Sequence, residues 1–261
     1  MIHVYYHRMD LDGLCCGALA YRYYKNNAMY HGMDYGESIS YDTDAELNLF
    51  LDFVPPADEP IPENLYVIDH HKTSVGLPGK IDTTQAACVL AWNHFRTGSV
   101  PLAVEMIADA DTYQTNRPNW LTEIVPFVLA VQSWGLSIFD ATWDTLFDGT
   151  CDYHRYLIEG AAIKRDRDFM NARLCREQAF TTYFAGFTVL AIIGGDRGSA
   201  RFIGYESETN HDFVMVIRNI KNHYWKYSMY SSTVDVSEIA QQYGGGGHKG
   251  AAGFTHEDLI V

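Results

Sequence analysis

The first 25 residues, MIHVYYHRMDLDGLCCGALAYRYYK, decide the fold of the N-terminal part of the chain. Residues 1–6 read as a short buried strand, and residues 7–13, HRMDLDG, read as a turn. The apolar residues of 14–25 then recur at the spacing of a helix. A strand that passes through a polar turn into a helix is the first half of a βαβ unit.

The same alternation continues downstream and predicts an α/β fold. Apolar strands are expected at 47–53 and 65–68, and helices at 83–95, with Thr83 as the N-cap candidate, and at 101–108. Strands that alternate with helices favour a mostly parallel sheet flanked by helices. In such sheets ligands bind beyond the carboxyl ends of the strands.

The character of the chain changes near residue 180. Before that point, residues 139–180 read as mainly helical. After it come strands at 187–193, 211–220 and 224–232, and a helix at 234–243. We therefore expect a domain at 1–180 and a smaller α/β domain with a mixed sheet at 181–261.

Composition excludes several classes of protein. The 261 residues carry a formal net charge of −14, which argues against long nucleic acid as the main partner. No apolar run approaches the roughly 20 residues that span a bilayer, and no secretory signal opens the chain, so a cytoplasmic protein is expected. The five cysteines show no CxxC spacing, which disfavours a disulfide framework and a zinc knuckle.

Acidic and histidine side chains follow successive predicted strands. His7, Asp10 and Asp12 lie within the first turn, Asp52 ends the second strand, and Asp69-His70-His71 ends the third. Asp109 and Asp111 follow the helix near residue 105. A mixed Asp/His set without thiolates suits manganese, or magnesium or cobalt, better than structural zinc. These side chains suffice for two divalent cations that share a carboxylate, an arrangement suited to phosphate ester hydrolysis.

A glycine-rich segment, GGGGHKGAAGF at 244–254, follows the last predicted helix. Glycines let the backbone approach an anion closely, and His248 and Lys249 add donors. The apolar residues that follow continue like a strand, so the glycines belong to a folded region. The segment, with Gly246 and Gly247 at its centre, is a candidate for ligand contact.

Taken together, these motifs resemble those of the DHH phosphoesterase superfamily with its DHH-associated C-terminal domain. The shared order is HxxDxDG, a lone Asp after a strand, Asp-His-His, a later Asp, and GGGGHxxAAGF, over nearly the whole chain. The family includes nanoRNases, cyclic-dinucleotide phosphodiesterases, phosphoadenosine-phosphate phosphatases and single-strand-specific exonucleases, and it uses manganese.

The resemblance implies a role for individual residues. One ion would be held by His7, Asp10 and Asp52. The other would be held by Asp12, Asp52, His70 and Asp109. Asp109 is preferred to Asp111 because Tyr113 follows it at the interval that matches the family. Asp69 would orient a neighbouring ligand, and His71 would lie near the substrate phosphate. Substrate would also be gripped across an interdomain cleft by His248 and its neighbours Gly246, Gly247 and Lys249. Relatives often carry a phosphate-binding Arg where this chain has Tyr230, so Tyr230 and Arg201, with Arg218, are candidate replacements.

Three functions remain open on these grounds. The first is a manganese-dependent phosphodiesterase for short RNA or DNA oligonucleotides or (cyclic) dinucleotides, with a homodimer left open. The second is a phosphomonoesterase or pyrophosphatase for phosphoadenosine phosphate, pyrophosphate or polyphosphate. The third is a nucleotide-binding module without catalysis.

Overall fold

The structure is a computed structural model that describes residues 1–34, 37, 39, 42–55, 61, 63–194, 210–220 and 224–261. Two compact units divide the chain, Met1–Ile163 and Lys164–Val261. A single helix runs through the division and ends just before residue 180, where the sequence predicts the domain boundary. That boundary stays a prediction.

The first unit is built on a five-stranded sheet in which every pair of neighbouring strands is parallel. Its strand order is β2-β1-β3-β4-β5. The strands are β1 Ile2–His7, β2 Ala28–Met33, β3 Leu47–Leu51, β4 Leu65–Asp69 and β5 Gly79–Ile81. The helices are α1 Leu11–Tyr24, α2 Ala87–Phe95, α3 Leu102–Asp111, α4 Val125–Ser133, α5 Thr142–Asp148 and α6 Tyr153–Gln178, the last continuing into the second unit.

The helices bury one large apolar core against this sheet. Leu19 of α1, Phe127 of α4 and Trp143 of α5 are almost completely buried and belong to one cluster with Leu49 and Leu51 of β3. Burial of a side chain of this size stabilises a fold by about 1.5–3 kcal/mol. A smaller cluster, which includes Tyr5, Phe50 and Val67, covers the other face of the same strands. The central strands are therefore buried on both faces, as in other parallel sheets.

The order of strands creates a switch point between β1 and β3. The chain leaves β1 for β2 on one side and later returns to place β3 on the other side. In doubly wound sheets of this order, ligands bind at the carboxyl ends of the two strands that flank this point. Here those ends are His7 and Leu51, followed by Asp52.

In the described part of the second unit, the last part of α6 leads into a mixed sheet that is accompanied by one further helix. Its strand order is β10-β11-β9-β8-β7-β6, with β7 and β8 parallel and the other neighbours antiparallel. The strands are β6 Phe180–Phe184, β7 Phe187–Ile193, β8 Phe213–Asn219, β9 Trp225–Tyr230, β10 Gly246–His248 and β11 Ala251–His256, and the helix is α7 Val236–Gln242. The predicted fold class, a parallel α/β sheet with helices plus a smaller α/β part with a mixed sheet, is confirmed.

Two predicted helix starts differ from the structure by three residues or more. The helix expected from residue 14, after a turn at 7–13, begins at Leu11 with Asp10 as its N-cap. The helix expected from residue 83 with Thr83 as its N-cap begins instead at Ala87. The Asp82 carboxylate accepts hydrogen bonds from the Thr84 backbone N–H and hydroxyl, at 2.9 and 2.6 Å, and holds residues 82–84 in a turn. The cap of α2 comes from Asp12 instead, which lies far upstream in the sequence.

Within the described ranges, none of the helices combines the length and the apolar character that crossing a bilayer requires.

Candidate metal centre

Asp52 occupies the centre of the candidate site. It follows β3 at the switch point, is almost fully buried, and has a left-handed backbone with φ of 53°. Its backbone N–H donates to the Ile68 carbonyl of β4 at 3.0 Å, which fixes this conformation. Left-handed residues other than glycine are uncommon and concentrate at functional sites.

The first cluster joins the end of β1 to the end of β3. One ligand atom from each of His7, Asp10 and Asp52 lies within 4.8 Å of the others. His7 Nδ1 is 2.8 Å from Asp10 Oδ2 and 3.6 Å from Asp52 Oδ2. Asp10 is also the N-cap of α1, because its Oδ1 accepts a hydrogen bond from the Gly13 backbone N–H at 3.0 Å. The N-terminal cap of the helix therefore also fixes a candidate ligand.

The second cluster is centred on His70, the first residue after β4. His70 Nε2 lies 3.4 Å from Asp52 Oδ1, 3.7 Å from Asp12 Oδ2 and 3.2 Å from Asp111 Oδ2. Both oxygens of Asp12 accept backbone hydrogen bonds, from Ala87 at 2.9 Å and Cys88 at 2.8 Å. Asp12 therefore connects the start of α2 to the candidate ligands.

Asp111, rather than Asp109, is the residue of α3 that lies beside His70. Asp109 instead forms an ion pair with Arg117, whose Nη2 is 3.0 Å from Asp109 Oδ1. The two acidic residues are two positions apart on one helix, so their side chains leave it in different directions. The geometry thus brings Asp111, and not Asp109, into the second cluster.

Asp69 and His71 form a pair at the edge of the second cluster. His71 Nδ1 is 2.8 Å from Asp69 Oδ1, which also accepts a hydrogen bond from the His70 backbone N–H at 2.7 Å. Asp69 Oδ2 accepts a hydrogen bond from the Ser74 hydroxyl. These contacts fix the ring of His71, which lies 3.7 Å from Asp52 Oδ1 through the same Nδ1.

Asp34 is a site residue that the sequence analysis missed. It follows β2, and its Oδ1 lies 3.7 Å from His7 Nε2. The strand before it, AMYHGM, lacks an alternating apolar pattern, so nothing in the sequence marked Asp34 as the end of a parallel strand. A predicted strand there would have placed a further carboxylate at the same edge of the sheet.

The buried charges strongly shift the protonation of this centre. Burial and the charge of Asp52 raise the pKa of Asp12 to about 7. Burial, with Asp12 and Asp52, holds the pKa of Asp111 well above its usual range. Burial alone would lower the histidine pKa values, but carboxylate contacts outweigh it and raise the pKa of His7 to about 10 and that of His70 to about 9. In the metal-free site the negative charge of the carboxylates therefore exceeds the positive charge of the histidines.

A pair of divalent cations fits this donor set. Asp52 Oδ1 is buried and accepts no hydrogen bond within the described residues, although the two clusters meet at this side chain. A buried carboxylate oxygen without a donor is costly unless a cation or another partner balances it. Carboxylate and imidazole ligands, with no thiolate among them, suit manganese or magnesium better than a structural zinc ion.

The glycine-rich segment of the second unit is tightly constrained at two of its positions. A Cβ on Gly245 would lie 2.1 Å from the Gly253 carbonyl oxygen, and one on Gly247, where φ is 138°, would lie 2.6 Å from Ala252 Cα. Gly246 is different, because a Cβ there would meet no atom of the described chain within 4 Å. The fold therefore explains the absence of a side chain at Gly245 and Gly247, but not at Gly246.

The remaining predicted substrate-binding residues lie in varied settings. His248 ends β10 and is partly buried, and Lys249 is exposed, with its carbonyl accepting a hydrogen bond from Val236 at the start of α7. Tyr230 ends β9 and is only 7% exposed, which places it among core side chains. Arg201 lies outside the described residues.

The second unit matches a known domain family, and the fold of the chain is similar to that of solved structures. Residues 187–260 match the family model of the DHHA1 domain. The solved DHH domain of a member of a family of ribosomal proteins has a TM-score of 0.61 at 12% identity, over 98% of this chain and 83% of that one. PggH, a pGpG-specific phosphodiesterase from Vibrio cholerae, has a TM-score of 0.52 at 17% identity, over 97% and 92%. No curated protein matches the sequence.

Proposed function

Since the chain carries a DHHA1 domain and the fold of DHH-domain proteins, as its motifs predict, we propose that it is a metal-dependent phosphodiesterase for short oligonucleotides or signalling dinucleotides. The observation that carries this proposal is the position of Asp52. Its buried carboxylate belongs to the first cluster and lies 3.4 Å, through Oδ1, from His70 Nε2 of the second. Its backbone is held in a left-handed conformation by β4. A carboxylate shared in this way is what a two-cation phosphoesterase needs.

Each cation would have its own set of protein ligands. His7, Asp10 and Asp52 would hold one, and Asp12, Asp52, His70 and Asp111 would hold the other. When bound, two manganese ions would lower the pKa of a water for attack and neutralise charge on the phosphoryl oxygens. The hydrogen bonds of Asp10 to the start of α1 and of Asp12 to the start of α2 keep these two carboxylates in place.

His71 would act on the substrate rather than on a cation. Burial lowers its pKa, but in the metal-free protein the Asp69 contact outweighs this and raises the pKa to about 9. Asp69 accepts the hydrogen bond of Nδ1, which directs the Nε2–H to donate to a phosphoryl oxygen. Asp69 is thus a positioning residue for His71.

The second unit would supply contacts to the rest of the substrate. Gly246 leaves open space where a side chain would stand, and it lies on β10, which has only one neighbouring strand in the described sheet. A phosphate or ribose could therefore approach its backbone, with donors from His248 and Lys249 beside it. Arg201 is retained in this proposal on the resemblance alone.

Two observations support a short substrate. The formal net charge of −14 disfavours the phosphate-rich surface of a long strand. The fold is shared with a protein whose name describes hydrolysis of pGpG. Fold likeness alone does not fix a substrate, so the choice of a dinucleotide is made by analogy.

The test is a substrate panel with the purified full chain and manganese. The panel contains pGpG, RNAs of two to five nucleotides, cyclic dinucleotides, phosphoadenosine phosphate and pyrophosphate. We expect cleavage of at least one dinucleotide, loss of it with a chelator, and its return with manganese. Phosphate release from phosphoadenosine phosphate or pyrophosphate, with intact dinucleotides, would instead identify a phosphomonoesterase or pyrophosphatase.

Asp52→Asn is the decisive variant for the metal centre. Removal of the shared carboxylate should lower kcat by about a thousandfold or more, because charge stabilisation at such centres is among the largest catalytic effects. The matched control is Asp166→Asn, an exposed residue of α6, which should retain wild-type activity. Equal activity of wild type and Asp52→Asn would refute a catalytic role for the shared site.

A further inference from the structure

A cavity of about 570 Å³ opens in the first unit beside the metal centre. Its walls come from the segment that leads into α2, from α3, and from residues 114–124, where Trp120–Ile124 form a π-helical turn. The volume falls within the range of pockets that hold small organic ligands. None of the roles in the proposed function uses this cavity.

Two residues that line the cavity are one or two positions away in sequence from residues that contact the ligand clusters. Ala86 lines it, and the next residue, Ala87, donates its backbone hydrogen bond to Asp12. Asp109 lines it as well, and Asp111, two residues later, contacts His70. The segments of chain that line the cavity are therefore continuous with those that carry the candidate ligands.

The charges of the lining residues disfavour a phosphate as the occupant. Among the described residues of the lining, Glu105 and Asp109 contribute two carboxylates and Arg117 contributes a guanidinium, so one negative charge is left over. Arg117 is also already paired with Asp109 at 3.0 Å. An anion would be repelled here, whereas an uncharged polar group would not.

The remaining lining suits a flat ring with polar edges. Val89, Met106 and Ile124 offer apolar surface, and the amides of Gln85, Gln114 and Asn119 offer both donors and acceptors. A nucleobase has an apolar face and an edge on which donors and acceptors alternate. The chemistry of the walls therefore matches a base better than a sugar phosphate.

We propose that this cavity binds a nucleobase of the substrate while the adjacent phosphate lies at the metal centre. The assignment rests on the proposed function for the phosphate, but the cavity itself is a separate site. Asp109 and Arg117 together present an acceptor beside a donor, which a base edge can satisfy on both sides.

A binding experiment tests this site without relying on catalysis. Guanosine, adenosine and uridine, which carry no phosphate, are titrated into the metal-free full chain and followed by ligand-detected NMR. Leu102 lines the rim and is 53% exposed, so Leu102→Trp should fill the cavity without disturbing the core. The matched control is Ile158→Trp on α6, an exposed apolar residue of the same unit outside the cavity lining.

We expect wild type and Ile158→Trp to bind at least one nucleoside equally, and Leu102→Trp to bind it at least tenfold more weakly. Thermal melts of the three proteins check that each is folded. Failure of every nucleoside to bind wild type, or equal binding by Leu102→Trp, would overturn the cavity assignment. Neither result bears on whether the metal centre hydrolyses phosphate esters.

Kinetics provide the complementary measurement. The ratio of kcat/KM for a dinucleotide to that for bis(p-nitrophenyl) phosphate, which has no base, should fall at least tenfold in Leu102→Trp. An unchanged ratio would contradict base binding in the cavity. Absence of any hydrolysis by wild type would refute the proposed function and leave the nucleoside titration to decide the cavity.

Discussion

At the scale of single residues, position on a helix decides which acidic side chain reaches the candidate metal centre. The sequence shows Asp109 and Asp111 as equivalent candidates at the end of one helix, and only the rotational phase of α3 separates them. Side chains two positions apart on a helix do not share a face. The resemblance favoured Asp109 by spacing, whereas the geometry brings Asp111 to His70 and Asp109 to Arg117.

The different positions of Asp109 and Asp111 lead to a direct prediction about metal affinity. Asp111→Asn should weaken manganese binding to the full chain by about 100-fold, because it removes a ligand. At metal sites in general, loss of a residue that only supports a ligand already lowers metal affinity by about 10–100-fold. Asp109→Asn should change that affinity by less than about threefold. Isothermal titration calorimetry measures both affinities. A larger loss of affinity for Asp109→Asn would favour Asp109 as the ligand, as the resemblance implies.

Gly246 allows a second residue-scale test. Because Gly246→Ala meets no atom within 4 Å, it should leave the thermal midpoint of the protein unchanged and raise KM for a dinucleotide about tenfold or more, through lost backbone contact. Gly245→Ala should lower the thermal midpoint, since its Cβ would clash with the Gly253 carbonyl. A Gly246→Ala protein with wild-type KM would exclude substrate contact at this glycine.

At the scale of secondary-structure elements, most strands and helices could be predicted because their apolar patterns are local. The start of α2 could not, since its first backbone N–H groups donate to Asp12, a residue 75 positions earlier in the sequence than Ala87. β2 was missed for another reason. It lies at the edge of the sheet and its residues are only partly buried, so no apolar signal marks it.

The contact between α4 and α6 gives an element-scale prediction. Gly160 of α6 lies so close to α4 that a Cβ would stand 1.7 Å from the Pro126 carbonyl oxygen. Gly160→Ala should therefore destabilise the protein by about 1–3 kcal/mol, the usual cost of overpacking, despite the better helix propensity of alanine. Denaturant unfolding measures this change, and Ala162→Leu, at an exposed position of the same helix, is the control. A more stable Gly160→Ala protein would contradict the close approach.

At the scale of the whole molecule, the type of both folding units and most members of the candidate ligand clusters could be predicted from the sequence. Parallel strands bring their carboxyl ends to one edge, so residues that follow successive strands must meet there. The structure gathers His7, Asp10, Asp12, Asp52 and His70 in this way. The left-handed backbone of Asp52 and the cavity beside α3 depend on tertiary packing, which no local pattern records.

The raised pKa values of the histidines predict how the metal affinity of the candidate centre depends on pH. In the metal-free protein the carboxylates raise the pKa of His7 to about 10 and that of His70 to about 9, so both rings are protonated at neutral pH. A cation binds only the deprotonated ligands, so it must displace these protons. Apparent manganese affinity should therefore rise about tenfold per pH unit for each proton displaced between pH 6 and 8.

Calorimetry in buffers of different ionisation enthalpy measures this release of protons. A manganese affinity that stays constant between pH 6 and 8, with no proton release, would mean that the histidines are already neutral. The same titration of Asp52→Asn separates protons displaced from the shared site from those displaced elsewhere.

The all-parallel pairing of the first sheet also has a consequence for biosynthesis. Since no strand in it pairs with a neighbour through a hairpin, every one of its pairings waits for a crossover segment to be made. The candidate ligands are spread from His7 to Asp111, and Asp12 needs the start of α2 to hold it. During translation the complete set of candidate ligands is therefore available to a cation only after α3 has left the ribosome.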